Sequence, residues 1–266
     1  MDVSTKGILY PSRLPSLHRL PAPPQVAHLV RWFWIPEWDL APGRTSRQHV
    51  LAHPATNLVV QVDDVELSGP ATRRTHRDLS GRGWAVGALL RPAMMPHFTD
   101  DPGSLRDREV VLELPALHAA VSEAMRGTDR EAARQGAVAA YVAWLEGLDL
   151  HPSPAALLAN EVVDACESAP AITRLEDLAA YLAVSPRTVQ RLTRAYVGLP
   201  PSALLRRRRL QDAAERLRTD PDVDVADVAA EWGYADHAHL AHEFRAVLGM
   251  TPSEYRARSA QRVTGA

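Results

Sequence analysis

The stretch GYADHAHLAHEFRAVLGMTPSEY, residues 233–255, places His237, His239 and His242 within six positions. On a helix the side chains of 237 and 239 point about 200° apart, whereas 239 and 242 share a face at i,i+3 spacing. Three ligands from so short a helix cannot meet on one ion. The cysteines and carboxylates that complete such a site are not grouped nearby. Zinc is therefore the weak reading, no cofactor is expected, and the histidines need another role.

That role comes from aligning the C-terminal part on itself. LEDLAAYLAVS (175–185) lines up with VADVAAEWGYAD (225–236), and GLPPS (198–202) lines up with GMTPS (249–253), at offsets of 50 and 51 residues. In the first copy Thr173-x-x-Glu176 reads as a capping box, and Leu175, Leu178, Ala179 and Leu182 form the buried face of a helix. A tight turn follows at Ala183-Val184. Ser185 then caps a second helix with Pro186 at its first position, and Gly198 ends it in the left-handed conformation. In the second copy Asp224 and Asp236 are the caps and Gly233 is the turn. Val225, Val228, Ala229 and Trp232 pack inside, and Leu240, Phe244 and Leu248 seat the last helix.

Helix, short turn and helix, with small residues where the helices cross, is a helix-turn-helix. A repeated helical hairpin without a ligand is the plain alternative. The outward face of the second helix decides between them. In copy one it carries Arg187, Thr188, Gln190, Arg191 and Arg194. Arginine can bind guanine with two hydrogen bonds and glutamine can do the same for adenine, so this is a face suited to major-groove reading. In copy two the same face carries His237, His239, His242 and Arg245. These histidines either meet DNA or are ordinary solvated side chains, imidazole being a less decisive base reader than guanidinium.

Between the copies, PPSALLRRRRLQDAAERLR gives a linker helix opened by Pro201, with an apolar stripe at Leu204, Leu205, Leu210, Ala213, Ala214 and Leu217. Two reading helices on one face of a duplex need a separation of roughly 34 Å, which such a spacer would fix. Residues 171–219 hold ten Arg against four acids, a surplus of six in a chain of net charge −2. Such a surplus suits phosphate contacts. Arg206–Arg209 supply much of it, and some of these four must face inward.

The chain has 266 residues, enough for one large or two modest domains. No apolar run reaches the ~20 residues of a membrane span, and the first 15 residues lack the apolar core of a signal peptide. The one cysteine, Cys166, excludes an internal disulfide and suits a cytoplasmic setting. Lys6 is the only lysine, so arginine is the default cation and its position must carry the argument.

The expected fold class is α+β: a small barrel-like β-rich domain, a helical connector, and an all-α domain with two helix-turn-helix motifs joined by a linker helix. Residues 1 to about 26 read as an irregular, proline-broken arm. LVRWFWI and NLVVQV read as strands, and SGRG as a hairpin-like turn between TRRTHRDL and WAVGALL. The expected domains are 1–113 (β-rich, effector-binding or oligomerising), 114–160 (connector) and 161–262 (DNA-binding). The last divides into a first motif at 173–198, a linker helix at 201–218 and a second motif at 224–249.

With those residues in view, the region from about 160 to 262 closely resembles the AraC/XylS family of transcription regulators. DVAAEWGYADHAHLAHEFRAVLGMTPSEYR carries the family pattern, and SPRTVQRLTRAYVGLPPS matches its other half. The resemblance implies two helices entering successive major-groove segments. Arg187, Gln190 and Arg191 then take the base-reading positions of the first motif, and His237, His239 and His242 those of the second. Thr193 stands where the family usually has Phe, and His242 where Arg is common. WIPEWDLAPGR, HVLAHPATNLVVQV, GRGWAVGALLRPAMMPHF and SLRDREVVLEL are similar to the sensor domain of one branch of these regulators.

In the N-terminal half, His49 and His53 would lie about 13 Å apart on one strand face. That spacing does not make a cupin-type metal site, and no nucleophile–base grouping stands out. Trp32, Trp34 and Trp38, with Arg91 and His97, could line an effector pocket, the alternative being strand core. The sequence therefore reads as a regulator whose partners are double-stranded DNA, a small-molecule effector and a second protomer. Activation, favoured by the resemblance, adds RNA polymerase. The competing readings are an enzyme or metal-binding β-domain fused to a DNA-binding module, and an architectural DNA binder.

Overall fold

The computed structural model describes residues 16–50, 54–73, 75–169, 171–220 and 222–260. The N-terminal half is built on eight strands among the described residues: β1 (Ser16–Pro21), β2 (Val30–Asp39), β3 (Thr45–Val50), β4 (Asn57–Gln61), β5 (Val65–Ser68), β6 (Thr75–Ser80), β7 (Arg82–Leu90) and β8 (Glu109–Val111). Six form one antiparallel sheet in the order β1-β2-β7-β4-β5-β8, while β3 and β6 pair in a second.

The period-two alternation of β2 explains its faces. Phe33 and Ile35 are fully buried on one side, and Trp32, Trp34 and Trp38 lie on the other. Glycines on the neighbouring strand make room for two of those rings. A Cβ added at Gly87 would come within 2.1 Å of the Trp34 ring, and one at Gly83 within 2.4 Å of the Trp38 ring.

Two expectations need correction. Residues 16–21 of the supposed arm form β1, paired with β2 from Ser16↔Glu37 to Pro21↔Trp32. A proline is tolerated there because β1 is an edge strand and Pro21 its last residue. The SGRG stretch is not a hairpin. Its flanking strands do not pair with each other: β6 pairs with β3 and β7 with β2 and β4, and Gly81 between them is left-handed at φ 54°. The chain therefore bends and runs on. The β2–β7 ladder ends at Asp39↔Arg82, and the β3–β6 ladder takes over at Thr45↔Ser80.

Helices α1 (Pro115–Met125) and α2 (Arg130–Gly147) cover the core face of the large sheet. Asp129 caps α2 by accepting from the N–H groups of Glu131 and Ala132. Tyr141 of α2 is fully buried, 5.4 Å from the Phe33 ring, and its hydroxyl donates to the Leu58 carbonyl at 2.6 Å. Glu37 of β2 accepts from Arg130 at 2.7 Å and Arg134 at 2.8 Å. The helical region after 114 is thus largely the second layer of the N-terminal unit.

Seven more helices follow among the described residues: α3 (Pro154–Ser168), α4 (Leu175–Tyr181), α5 (Pro186–Tyr196), α6 (Pro201–Thr219), α7 (Val225–Glu231), α8 (His237–Leu248) and α9 (Pro252–Ala260). They make two cores. The first joins Val162 and Cys166 of α3 to Leu178, Val189 and Leu192, and the second joins Val228 and Ala229 to Leu240, Phe244 and Tyr255. The linker helix α6 belongs to both. Leu204 and Leu205 sit in the first core, and Leu210, Ala213, Ala214 and Leu217 in the second. At 19 residues it is about 28 Å long. The expected boundary at 160 falls inside α3, which is continuous because its apolar face is needed by the first motif.

The two halves are fastened through α3. Asn160 accepts from the Ala93 N–H at 2.9 Å and donates to the His28 carbonyl at 2.8 Å. Asp164 pairs with Arg91 at 2.7 Å, and Glu167 with Arg31 at 2.5 Å. Among the described residues, no helix is long and apolar enough to cross a membrane.

Candidate nucleic-acid interface

The two motifs are built alike from local sequence. Ser185 caps α5 by accepting from the Thr188 N–H at 3.1 Å, and Asp236 caps α8 by accepting from the His239 N–H at 2.7 Å. The turns before them both contain a left-handed residue, Ala183 at φ 53° and Gly233 at φ 68°. At the far ends Gly198 and Gly249 are left-handed too, at 75° and 69°. The start of the first motif differs from expectation. Helix α4 is capped at Arg174, whose N–H donates to Asp177 at 3.2 Å, so the Thr173–Glu176 pairing does not form.

One face of α5 is sealed by Val189, Leu192 and Thr193, each 1% exposed or less. Thr193 satisfies its hydroxyl by donating to the Gln190 carbonyl at 3.2 Å. The opposite face presents Arg187, Gln190, Arg191 and Arg194 to solvent, with Thr188 half-buried against Ser185 at 2.9 Å. On α8 the exposed polar residues are His237, His239, His242 and Arg245, behind which Leu240, Phe244 and Leu248 are fully buried. His239 is partly committed. Its ring meets Tyr234 edge-on at 5.3 Å, and its Nδ1 accepts from the Ala235 N–H at 3.4 Å. Among the described residues, no acidic side chain pairs with Arg187, Arg191, Arg194 or Arg245, which leaves these guanidiniums available to phosphate or base edges.

The arginine run of the linker helix is largely structural. Arg207 and Arg208 are 6% and 4% exposed. Arg208 donates to the carbonyls of Ala169 at 2.7 Å and Ile172 at 3.3 Å, closing the loop before α4. Burial lowers the pKa of Arg207 to about 10, against the pull of Asp107. Arg209 donates to the Gly233 carbonyl at 3.2 Å and lies over the Tyr234 ring. Arg206 faces Glu243 of α8 at 3.5 Å, and Tyr234 donates to the same carboxylate at 3.3 Å. The run therefore braces the second motif and docks the linker, and only Arg206 is exposed. A helix whose two ends enter different cores buries most of its circumference, and this inverts the reading of RRRR as a phosphate surface.

Sequence reasoning passed over Tyr181, the last residue of α4, which is 66% exposed. Its place off the Leu175/Leu178/Ala179/Leu182 stripe was the available signal, and an exposed tyrosine hydroxyl can donate to phosphate.

The residues expected to line an effector pocket do not converge. Trp34 donates to Asn57 at 3.0 Å, Trp38 donates to the Ser80 carbonyl at 3.1 Å, and Trp32 lies between Arg19 and Arg31 at 4.6 and 5.2 Å. His97 is on the helix-covered side, against Phe98 at 5.0 Å and Trp144 at 6.4 Å. Arg91 is held by Asp164. Strand alternation and the break at Arg91–Pro92 send these five to three different surroundings. His49 stands opposite His76 in the β3–β6 ladder, and His53 lies outside the described residues. Among the described residues, no group of three His, Cys, Asp or Glu could hold a metal ion.

Two family models match the chain: a helix-turn-helix domain over residues 178–258 and a domain of unknown function (DUF6597) over residues 18–110. The HTH-type transcriptional activator AarP of Providencia stuartii is 35% identical over 82 residues, 31% of this chain and 60% of that protein. The transcriptional activator NphR of a Rhodococcus species is 39% identical over 82 residues, 31% of this chain and 24% of that protein. The HTH-type transcriptional activator RhaS of Escherichia fergusonii is 37% identical over 81 residues, 30% of this chain and 29% of that protein. The matched segment thus spans at most three-fifths of these relatives, which are named as transcriptional activators.

Proposed function

We propose that the chain is a sequence-specific, effector-responsive transcription activator of the AraC/XylS type, a reading that the helix-turn-helix match of its C-terminal domain supports. Its two reading helices, α5 and α8, enter successive major-groove segments of one duplex face. Arg187, Gln190 and Arg191 read bases from α5. His237 and His242 do so from α8, with His239 partly retained by its own turn. Thr188, Arg194 and Arg245 supply phosphate contacts that set register.

The observation that supports this reading is the shared linker. A single helix is buried in both motif cores, while the equivalent outer faces of the two motifs stay exposed. Rigid spacing of two reading surfaces serves a regular double helix and has no evident use in a plain helical bundle. Activation is supported by the names of the relatives, and it makes RNA polymerase a partner. The N-terminal domain would bind the effector or a second protomer and shift the population of DNA-competent chains.

The test is genome-wide binding followed by footprinting with wild type and Arg191→Ala. The variant should change the recognised bases within one half of the footprint, at a cost of ~1–3 kcal/mol for the preferred site. Uniform weakening at every site would reject the base-reading role of Arg191. Absence of any discrete footprint would reject the whole reading in favour of an architectural binder.

A further inference from the structure

Between the N-terminal domain and the first reading helix lies a cleft of about 770 Å³, which shares only Gln190 and Arg194 with the proposed DNA contacts. It forms where the 3-10 turn Pro102–Leu105 meets the end of α5. There a Cβ at Gly198 would strike the Pro102–Gly103 backbone at 2.5 Å, and Arg106 donates to the Gly198 carbonyl at 2.8 Å. Five arginines line it, Arg106, Arg174, Arg194, Arg206 and Arg209, and Asp101 is the one acid among its lining residues. Among the described residues no acidic side chain pairs with Arg174 or Arg194, whereas Arg206 faces Glu243 and Arg209 is held by the Gly233 carbonyl. Leu175, Leu199 and Leu205 add an apolar wall.

We infer that this cleft binds a small organic phosphate. Its volume is within the range of about 300–1,000 Å³ usual for ligand sites, and a domain boundary is a common place for one. Guanidinium forks match the oxygens of a phosphate and can bind them in pairs. A phosphate monoester carries roughly −1.5 to −2 near neutrality. It therefore answers a surplus of guanidiniums better than a monocarboxylate does, and the leucines take its organic part. Gln190 and Arg194 border the same cleft and belong to the reading helix. An occupant that draws Arg194 inward takes it from the duplex, so occupancy lowers DNA affinity. That consequence rests on the regulator reading, whereas the binding itself does not.

The full chain is titrated with phenyl phosphate at fixed ionic strength, with phenol and sulfate as controls, by calorimetry and thermal shift. Wild type should bind phenyl phosphate saturably and at least tenfold more tightly than either control. Arg106→Ala/Arg174→Ala should lose at least tenfold. Arg174→Gln alone, which leaves the Arg106–Gly198 contact in place, should lose severalfold. Arg187→Ala, outside the cleft, should bind phenyl phosphate as wild type does. Equal binding of phenyl phosphate and phenol, or unchanged affinity in Arg174→Gln, overturns the proposal. So does a wild type that ignores phenyl phosphate while Arg174→Gln weakens duplex binding, because the cleft would then hold the DNA backbone. Phenyl phosphate binding by a chain that shows no duplex footprint would uphold the site and reject the regulator reading separately.

Discussion

Ala183 and Gly233 stand 50 residues apart at the same point of the two motifs, and both have left-handed backbones, at φ 53° and 68°. The turn geometry is therefore imposed by the motif, and in the first copy an alanine bears it. Left-handed backbone costs a non-glycine residue about 1–2 kcal/mol, and the greater freedom of glycine in the unfolded chain offsets roughly half of that. Ala183→Gly should raise unfolding free energy by about 0.5–1 kcal/mol, read as a higher urea midpoint. Gly233→Ala should lower it by a similar amount.

Substitutions at Arg208 and Arg187 test bracing against the proposed DNA contact. Arg208→Ala leaves the carbonyls of Ala169 and Ile172 without their donor in a buried site. It should cost about 1–3 kcal/mol of stability and leave the salt dependence of DNA binding unchanged in the folded fraction. Arg187→Ala, on an exposed face, should leave the unfolding midpoint in place. It should either relax one base preference or reduce the salt slope by about one. Unfolding curves and duplex titrations at several salt concentrations distinguish the two.

Cys166 is 1% exposed, and burial pushes its thiol up to about 12, with Glu167 adding to the rise and Arg208 opposing it. Because the thiolate is the reactive form, the native chain should resist a thiol-specific disulfide reagent at mildly alkaline pH. Denaturation should release one reactive thiol. Rapid labelling of the native chain would contradict this packing of α3.

His97 has its pKa lowered by burial beside Phe98 and Trp144. Its folded-state value lies below the unfolded value of about 6.5, so protonation favours the unfolded chain. The contribution of a neutral His97 is complete above that unfolded value and declines as pH falls through it. The thermal midpoint should therefore drop on acidification below about 6.5. His97→Gln should show a shallower drop, unless the lowered pKa of His18 dominates, which His18→Gln would reveal.

The C-terminal domain was legible because its signals are local. The caps at Ser185, Asp224 and Asp236, Pro186 and Pro201 at helix starts, and the left-handed Gly198 and Gly249 each act within four residues of their partners. The same locality explains the misreadings. Arg174 and Asp177 took the place of Thr173 and Glu176 because helix starts slide by one residue when two acids stand side by side. Residues 16–21 looked irregular because a proline on a sheet edge carries no penalty that the sequence can display.

The sequence by itself determined the repeat, the helix ends other than the start of α4, and the outward faces of α5 and α8, because periodicity and capping depend on neighbours along the chain. Only the tertiary structure decided the roles of Arg206–Arg209, the separation of Trp34, Arg91 and His97, and the cleft at Gly198. Those depend on contacts between residues far apart in the chain, such as Arg106 with Gly198 at a separation of 92 and Asn160 with His28 at 132. A charge run or an aromatic strand has the same spelling whether another element covers it or leaves it in water. The packing of one domain on another selects between those outcomes.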